Sequence, residues 1–152
     1  MNQTSKILSN KPDFNFSFQL IYWQKAHGRH ALPWQNTRDP YAIWLSEIML
    51  QQTRVATVIP YYQRFLKFYP DIKSLSLASL DEVLALWSGL GYYSRGRNLH
   101  KSANLIVRNY GGKFPSENNS IKQLPGIGRS TAAAIQVFAF GKRYAILDGN
   151  VK

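Results

Sequence analysis

Two carboxylates, Glu47 and Asp148, stand where acid–base chemistry is feasible, in a chain with only eight Asp and Glu residues. Glu47 lies beside an apolar helical pattern, where desolvation favours the protonated acid and lets it donate a proton near neutrality. Asp148 follows the apolar run 145–147, and a carboxylate there can face a site. The structural alternatives are an exposed helix glutamate paired with a lysine, and an N-cap for a helix that begins after Asp148.

A pair of glycines, Gly126 and Gly128, flanks Ile127 just before an alanine-rich helical run. Glycine takes positive φ without steric cost, so we expect both glycines to form a tight hairpin with Ile127 turned inward. The first N–H groups of the next helix, which begins at Arg129 and Ser130, have no partner within it and offer a site for a phosphate oxygen. The alternative to this helix-hairpin-helix clamp is a plain corner between two helices.

Composition indicates one domain that binds a polyanion. The 152 residues carry 19 Lys and Arg against eight acidic residues, a formal net charge of +11, and 45% are hydrophobic, which argues against disorder. The positive charge favours nucleic acid as the partner, although a generally basic surface is the alternative. Residues 1–13 have no long apolar run, so we expect a flexible tail, no membrane anchor and a cytoplasmic location.

Apolar spacing predicts helices joined by short loops and no strand, so the expected fold is an all-α bundle with a helix-hairpin-helix motif. Asp39 and Pro40 form an N-cap and first-turn pair for the helix of Glu47. Pro60 is expected to kink its helix or to mark a join. In a later basic helix, we place Arg95 on the charged face, opposite the apolar residues. The other predicted helices cover Phe14–Ala26, Val55–Tyr69, Leu80–Ser88, Ser116–Gln123 and Arg129–Phe140.

Ordered motifs along the chain resemble those of a known family. They lie at 32–35, 44–53, 87–95, 97–101, 124–132 and 147–152, and the resemblance that they carry covers nearly everything after residue 20. Together they resemble the adenine-specific (A/G mismatch) DNA glycosylases of the MutY family, within the endonuclease III or helix-hairpin-helix superfamily. The implied activity is base-excision repair of adenine opposite 8-oxoguanine or guanine, with double-stranded DNA as the partner and a monomeric, nucleoid-associated protein.

The resemblance implies catalytic and DNA-binding roles. Glu47 matches the glutamate that protonates adenine and later handles the water, and Asp148 matches the aspartate that stabilises the positively charged sugar. Gln52 and Tyr92 match residues that wedge into the duplex while adenine is flipped out. The structural alternatives for these two are a helix C-cap glutamine and a core tyrosine. The remaining DNA-binding positions implied by the resemblance are Gly126, Gly128, Arg129 and Ser130.

Three further residues bear on specificity. Trp34 and His30 fall where the family lines its adenine pocket, although another basic residue often stands at the position of His30. Ser130 occupies the position at which strand-nicking members of the superfamily carry a lysine that forms a Schiff base with the sugar. Because serine cannot form that adduct, we expect a monofunctional glycosylase that does not nick the strand efficiently.

The chain ends four residues after Asp148, whereas the family continues with a cysteine-ligated 4Fe–4S cluster and a domain that recognises 8-oxoguanine. We therefore expect a partial glycosylase domain at 14–152. The 152 residues include no cysteine, so we expect no metal and no cluster bound by this chain. For these residues alone, weak or absent turnover with retained DNA binding is the alternative to an active enzyme. A thymine- or uracil-removing mismatch glycosylase is a third interpretation.

Overall fold

The computed structural model describes residues 16–144. All the secondary-structure elements within that range are helices. The expected all-α fold is therefore confirmed. Contacts divide the chain into two units, 1–31 and 32–152, each of which is described by itself. The domain bounds expected from the sequence stay a prediction. The described helices are α1 (Phe16–His27), α2 (Pro40–Leu50), α3 (Val55–Phe68), α4 (Ile72–Leu77), α5 (Leu80–Trp87), α6 (Tyr93–Tyr110), α7 (Asn118–Lys122) and α8 (Arg129–Phe140).

Helix α1 belongs to the first unit and has no buried residue. Trp23 stacks on His27 one turn later, with 5.4 Å between the ring centroids. Gly28 stops the helix as expected, and its amide donates a 2.7 Å hydrogen bond to the carbonyl of Gln24. The predicted start at Phe14 lies outside the described residues. No helix within 16–144 is long and apolar enough to cross a membrane.

Helix α2 is the centre of the second unit and packs against α3, α6 and α8. The expected cap is present, because the Asp39 carboxylate accepts a 3.0 Å hydrogen bond from the amide of Tyr41 and Pro40 occupies the first turn. Every residue from Tyr41 to Met49 is buried except Glu47. This helix is therefore enclosed on nearly all sides rather than along one stripe.

Helix α3 packs against α2 and α5, whereas α4 and α5 pack against α6. Helix α3 runs continuously through Pro60, so the predicted join is wrong; Pro60 is exposed, and water can solvate the carbonyl that loses its intrahelical partner. Helix α4 was not predicted from the sequence, although Asp71 and Ser74 form a reciprocal capping box at its start. The predicted capping box between Ser79 and Glu82 begins α5.

Helix α6 carries the main correction to the predicted faces. Arg95 is only 8% exposed and shares the buried face of the helix with Leu99 and Ile106. The spacing of four and seven residues between these positions places them on one side of a helix. Arg95 therefore belongs to the interior, because backbone carbonyls from two loops meet its guanidinium there. The helix ends as predicted, at Gly111 in a left-handed conformation.

Helices α7 and α8 form the helix-hairpin-helix pair and pack against each other. Helix α7 is shorter than predicted and covers Asn118–Lys122. Helix α8 begins at Arg129 and closes at Gly141, whose φ is 64°. Ala132 and Ala134 are buried, so small side chains let α8 approach α2 closely.

Candidate active site and nucleic-acid interface

Glu47 is the candidate acid, and it is half-buried one turn before α2 ends. Its neighbours Ser46 and Ile48 are buried, so Glu47 marks the point where α2 presents a carboxylate to a partly open surface. Glu47 is the acidic residue of α2, and its partial exposure leaves room for a reacting group to approach.

The chain turns sharply just after α2, and Gln52 is the exposed residue at that turn. Its φ is 55°, in the left-handed region that a residue with a β-carbon rarely adopts. The turn is closed by hydrogen bonds from the amides of Gln51 to Ile48 (3.3 Å) and of Thr53 to Leu50 (3.4 Å). Gln52 is therefore exposed at the same end of α2 as Glu47, on a turn that two backbone hydrogen bonds hold.

Tyr92 is a second strained and exposed residue, at the start of α6. Its φ is 48° and its side chain is 59% exposed, so it is not a core tyrosine. The loop before it is fixed by Trp87, whose indole N–H donates a 3.0 Å hydrogen bond to the Gly91 carbonyl. Tyr61 donates a 2.7 Å hydrogen bond to the carbonyl of Ser88 and fixes the other end of that loop. The aromatic ring therefore projects from a rigid support.

These two strained residues share one buried anchor, Arg95, which the sequence analysis did not select. Its guanidinium donates to carbonyls of the Gln52 turn and of the Tyr92 loop, and it lies over the rings of Trp87 and Tyr92, each centroid 5.4 Å away. Desolvation lowers the pKa of the guanidinium, but its ordinary value is so high that Arg95 stays protonated. The positive φ of Gln52 and Tyr92 was not predicted, because residues other than glycine give no sequence signal for that conformation.

The hairpin between α7 and α8 forms with Ile127 buried, as expected. Gly126 has a φ of 79°, whereas Gly128 has φ −88° and ψ −177°, which is extended backbone open to any residue. The expectation of positive φ at Gly128 is therefore wrong. Space explains the difference in role: a β-carbon at Gly126 would press on Asn98, whereas a β-carbon at Gly128 would meet nothing within 4 Å.

The hairpin is fastened to the helices that carry the other candidate residues. Ser102 on α6 donates a 3.0 Å hydrogen bond to the carbonyl of Pro125 in the hairpin. Gln51, next to Gln52, donates a 3.3 Å hydrogen bond to the hydroxyl of Thr131 in the first turn of α8. Helix α6 and the end of α2 therefore hold the hairpin in fixed relation to the Gln52 turn.

The first turn of α8 presents Arg129, which is exposed, and Ser130, which is half-buried. No side chain caps this helix at Gly128. Its first backbone N–H groups and the positive end of its dipole therefore face the open side of the hairpin. An exposed guanidinium beside unpaired N–H groups is an arrangement that binds a phosphate oxygen.

A family model described as "HhH-GPD superfamily base excision DNA repair protein" matches residues 45–152. The match includes both strained loops and the whole hairpin. The chain belongs to this superfamily. Within it, the chain is 53% identical over 137 residues to the adenine DNA glycosylase of Buchnera aphidicola subsp. Acyrthosiphon pisum (strain APS). The aligned region covers 90% of this chain and 39% of that relative. The chain is 47% identical over 145 residues to the adenine DNA glycosylase of Mus musculus, covering 90% of this chain and 28% of the relative.

Solved structures of the superfamily share this fold. A thermostable thymine-DNA glycosylase superposes with a TM-score of 0.83 at 31% identity, over 89% of this chain and 62% of that chain. An endonuclease III in a non-covalent complex with DNA superposes with a TM-score of 0.75 at 23% identity, over 90% of this chain and 64% of that chain. The chain spans about two fifths of the length of the bacterial relative above.

The two predicted pocket residues lie in different units of this superfamily member. Trp34 is half-buried in the second unit and makes an edge contact with Tyr62, with 5.4 Å between the ring centroids. His30 is exposed in the first unit, and its Nε2 lies 3.0 Å from the carbonyl oxygen of Lys25. Each residue is placed by contacts within its own unit, and a shared pocket stays a prediction.

Asp148, the second predicted carboxylate, lies outside the described residues. The 4Fe–4S cluster expected in the family requires cysteine thiolates, and the 152 residues contain none. Residues 16–144 also bring together no group of three or more His, Cys, Asp or Glu suited to a metal ion. The residues present therefore do not fit the cluster.

Proposed function

We propose that the protein is an adenine DNA glycosylase, which hydrolyses the N-glycosidic bond of adenine opposite 8-oxoguanine or guanine in double-stranded DNA. The observation that carries the proposal is the close similarity to adenine DNA glycosylases across nine tenths of this chain. The half-buried position of Glu47 supports it, because the reaction needs one carboxylic acid near the base. A DNA substrate would place the protein with the chromosome as a nucleoid-associated monomer.

Glu47 supplies the acid in this proposal. Adenine is a poor leaving group until it is protonated, so Glu47 donates a proton to the base as the C1′–N9 bond breaks. The bonding electron pair leaves with adenine, and positive oxocarbenium character develops on the sugar. Glu47 is half-buried on a helix whose other residues from Tyr41 to Met49 are buried, so it is the carboxyl group of α2 that a flipped base could reach.

Asp148 completes the chemistry as the anionic partner. Its carboxylate stabilises the oxocarbenium sugar by charge, or adds to it transiently before water replaces it. A water molecule then bonds to C1′. The Glu47 carboxylate, which lost its proton in the first step, takes a proton from that water. The products are free adenine and an abasic site in an unbroken strand.

DNA binding places adenine within reach of Glu47. The hairpin and Arg129 bind the phosphate backbone, and the net charge of +11 favours the duplex as partner. Gln52 and Tyr92 insert into the duplex and offset the free energy of unstacking, which is a few kcal/mol per base step. Adenine can then leave the stack and reach Glu47, and Trp34 of the same unit is proposed to line the pocket that receives it.

The test is a single-turnover assay on duplexes with one adenine opposite 8-oxoguanine, using the protein and its Glu47→Gln variant. We expect adenine release by the protein and a loss of about 100-fold or more in the variant, because the amide carries no transferable acid proton. The matched control is Glu117→Gln, which makes the same change at an exposed residue without a side-chain cap bond. The control should release adenine at the rate of the unmodified protein.

A second duplex, with thymine opposite guanine, tests the alternative favoured by the likeness to a thymine-DNA glycosylase. Release of thymine in place of adenine would identify that activity and overturn the adenine assignment. Binding of both duplexes with release of neither base would identify a DNA-binding module without turnover. Equal adenine release by the protein and Glu47→Gln would remove Glu47 from the mechanism.

A further inference from the structure

We propose that Arg95 is a positioning residue, which fixes the Gln52 turn and the Tyr92 loop in one register so that both side chains enter the duplex together. The inference rests on the proposed function, since it assigns a task to residues outside the acid–base chemistry. It concerns the step that unstacks the base rather than the step that breaks the glycosidic bond.

One terminal nitrogen of Arg95 closes the end of α2. Its Nη1 donates hydrogen bonds to the carbonyl oxygens of Ile48 at 2.9 Å, Met49 at 2.8 Å and Gln51 at 2.7 Å. These carbonyls belong to the last helical turn and its cap, and the carbonyl of Ile48 also accepts the 3.3 Å hydrogen bond from the Gln51 amide. The third acceptor immediately precedes Gln52, so the backbone entering the strained residue is held directly.

The other terminal nitrogen joins this turn to the Tyr92 loop. Nη2 donates to the hydroxyl of Thr53 at 3.0 Å and to the carbonyl of Gly91 at 3.2 Å, with a longer contact of 3.5 Å to the carbonyl of Leu90. Thr53 immediately follows Gln52, and Gly91 immediately precedes Tyr92. A single guanidinium therefore holds the residues on both sides of Gln52 and the residue before Tyr92.

The anchor acts where the backbone is strained. Gln52 at φ 55° and Tyr92 at φ 48° both occupy the left-handed region, which costs about 1 kcal/mol or more for residues other than glycine. Such conformations persist only where the surroundings fix them. The strained backbone leaves the side chains of Gln52 and Tyr92 exposed, while Arg95, which holds both segments, is only 8% exposed.

An arginine suits this position better than a lysine does. Its planar fork directs donors to two groups of acceptors at once, whereas a lysine has a single nitrogen to share between them. The Nε of Arg95 is buried without a hydrogen-bond partner in the described structure, so the polar contacts are confined to the two nitrogens that face the loops. A charge buried among neutral acceptors is a costly way to fill a core, which favours a role in positioning over a role in packing.

The test compares Arg95→Met with Arg108→Met, which removes the same charge from an exposed position of the same helix. Single-turnover rates are measured on adenine paired opposite 8-oxoguanine and on adenine in a single-nucleotide bulge, where unstacking is already easy. We expect Arg95→Met to lose about tenfold or more on the paired adenine and to remain within about threefold on the bulge. Arg108→Met should match the unmodified protein on both duplexes.

A second readout needs no catalysis. 2-Aminopurine placed at the adenine position fluoresces more strongly when it leaves the stack, and saturating protein should raise that signal. Arg95→Met should lose most of the rise while still binding the duplex. Arg95→Lys keeps the charge and is measured in parallel, so that the result does not depend on the folding of one variant. We expect Arg95→Lys, like Arg95→Met, to lose more of its single-turnover rate on the paired adenine than on the bulged adenine.

The outcomes separate this inference from the proposed function. Equal losses on paired and bulged adenine, or no loss in either Arg95 variant, would overturn the positioning role even if adenine is excised. If the unmodified protein excises no adenine, the proposed function fails, and the 2-aminopurine signal still decides the role of Arg95. A protein that binds the duplex without raising that signal would also overturn the inference, because nothing would then be inserted.

Discussion

The β-carbon of Asn98 on α6 lies 3.1 Å from the position that a β-carbon would take on Gly126, in the hairpin before α8. Helix α6 and the hairpin thus meet at a point where a β-carbon would fit only if Asn98 moved by a few tenths of an ångström. Ser102 fastens the same junction one turn later, through its hydrogen bond to Pro125. The helix that starts beside Tyr92 therefore also sets the position of the proposed phosphate site.

The first prediction concerns Gly126→Ala. The φ of 79° and the crowding by Asn98 both oppose a β-carbon, so we expect a loss of about 1–3 kcal/mol in the free energy of unfolding. Chemical denaturation with the unmodified protein as reference measures this loss. An unchanged midpoint and slope would mean that the hairpin relaxes freely and is not fixed by α6.

Gly128→Ala provides the matched second prediction. Gly128 is extended and its β-carbon would face open space, so the variant should unfold like the unmodified protein. Affinity for a duplex should nevertheless fall about tenfold, because the added methyl group stands where a phosphate oxygen must approach the backbone. Fluorescence anisotropy with a labelled duplex measures the affinity. Unchanged affinity would reduce the hairpin to a corner between two helices.

Salt dependence provides a third prediction, centred on Arg129. Duplex affinity should fall steeply as salt rises, since each neutralised phosphate adds about −0.9 to the slope of log K against log salt. Arg129→Gln should make that slope shallower by about one phosphate. The control Lys67→Gln removes an equal charge from an exposed residue near the end of α3 and should leave the slope unchanged. Equal effects of the two changes would indicate a diffuse basic surface without a defined clamp.

Tyrosine ionisation should limit stability at alkaline pH. Burial raises the pKa of Tyr62 to about 12, with the Asp39 carboxylate as a further cause, and burial also raises the pKa of Tyr41. Because the unfolded chain releases these protons near pH 10, stability is fully present below that pH. It falls between about pH 10 and 12, by at most about 1.4 kcal/mol per pH unit for each group.

Tyr62→Phe tests this alkaline prediction, because it removes one of the two titrating groups. The variant should lose stability less steeply than the unmodified protein when the free energy of unfolding is compared at pH 9, 10 and 11. Measurements at pH 7 on the same two proteins correct for any difference in packing. Parallel curves across the alkaline range would show that Tyr62 does not contribute to the loss.

Local signals in the sequence predicted much of the fold. The caps at Asp39 and Ser79 act within one helical turn, so residue types alone identify those helix starts. The buried state of Arg95 depends instead on acceptors in the Gln52 turn, more than 40 residues earlier in the chain. Its misassignment to a charged face follows directly, because helical periodicity carries no information about such distant partners.

The candidate site was predictable to a lesser extent. The family resemblance selected Gln52 and Tyr92, yet their left-handed backbone could not be read from residue types that normally avoid it. For the hairpin, glycine at two positions suggested two positive φ values, whereas only Gly126 has one. A side chain would fit the open space at Gly128, so the proposed approach of a phosphate oxygen, and not the fold, accounts for the glycine there.

The last prediction concerns the product of the proposed reaction. Ser130 lies in the first turn of α8, where the resemblance places the lysine of strand-nicking relatives, and a hydroxyl cannot form a Schiff base. After adenine release, the strand should therefore stay intact until alkali is added. Borohydride should trap no covalent complex with the unmodified protein, whereas Ser130→Lys should yield one. Strand cleavage without alkali at the rate of adenine release would show that another amine of the chain attacks the sugar.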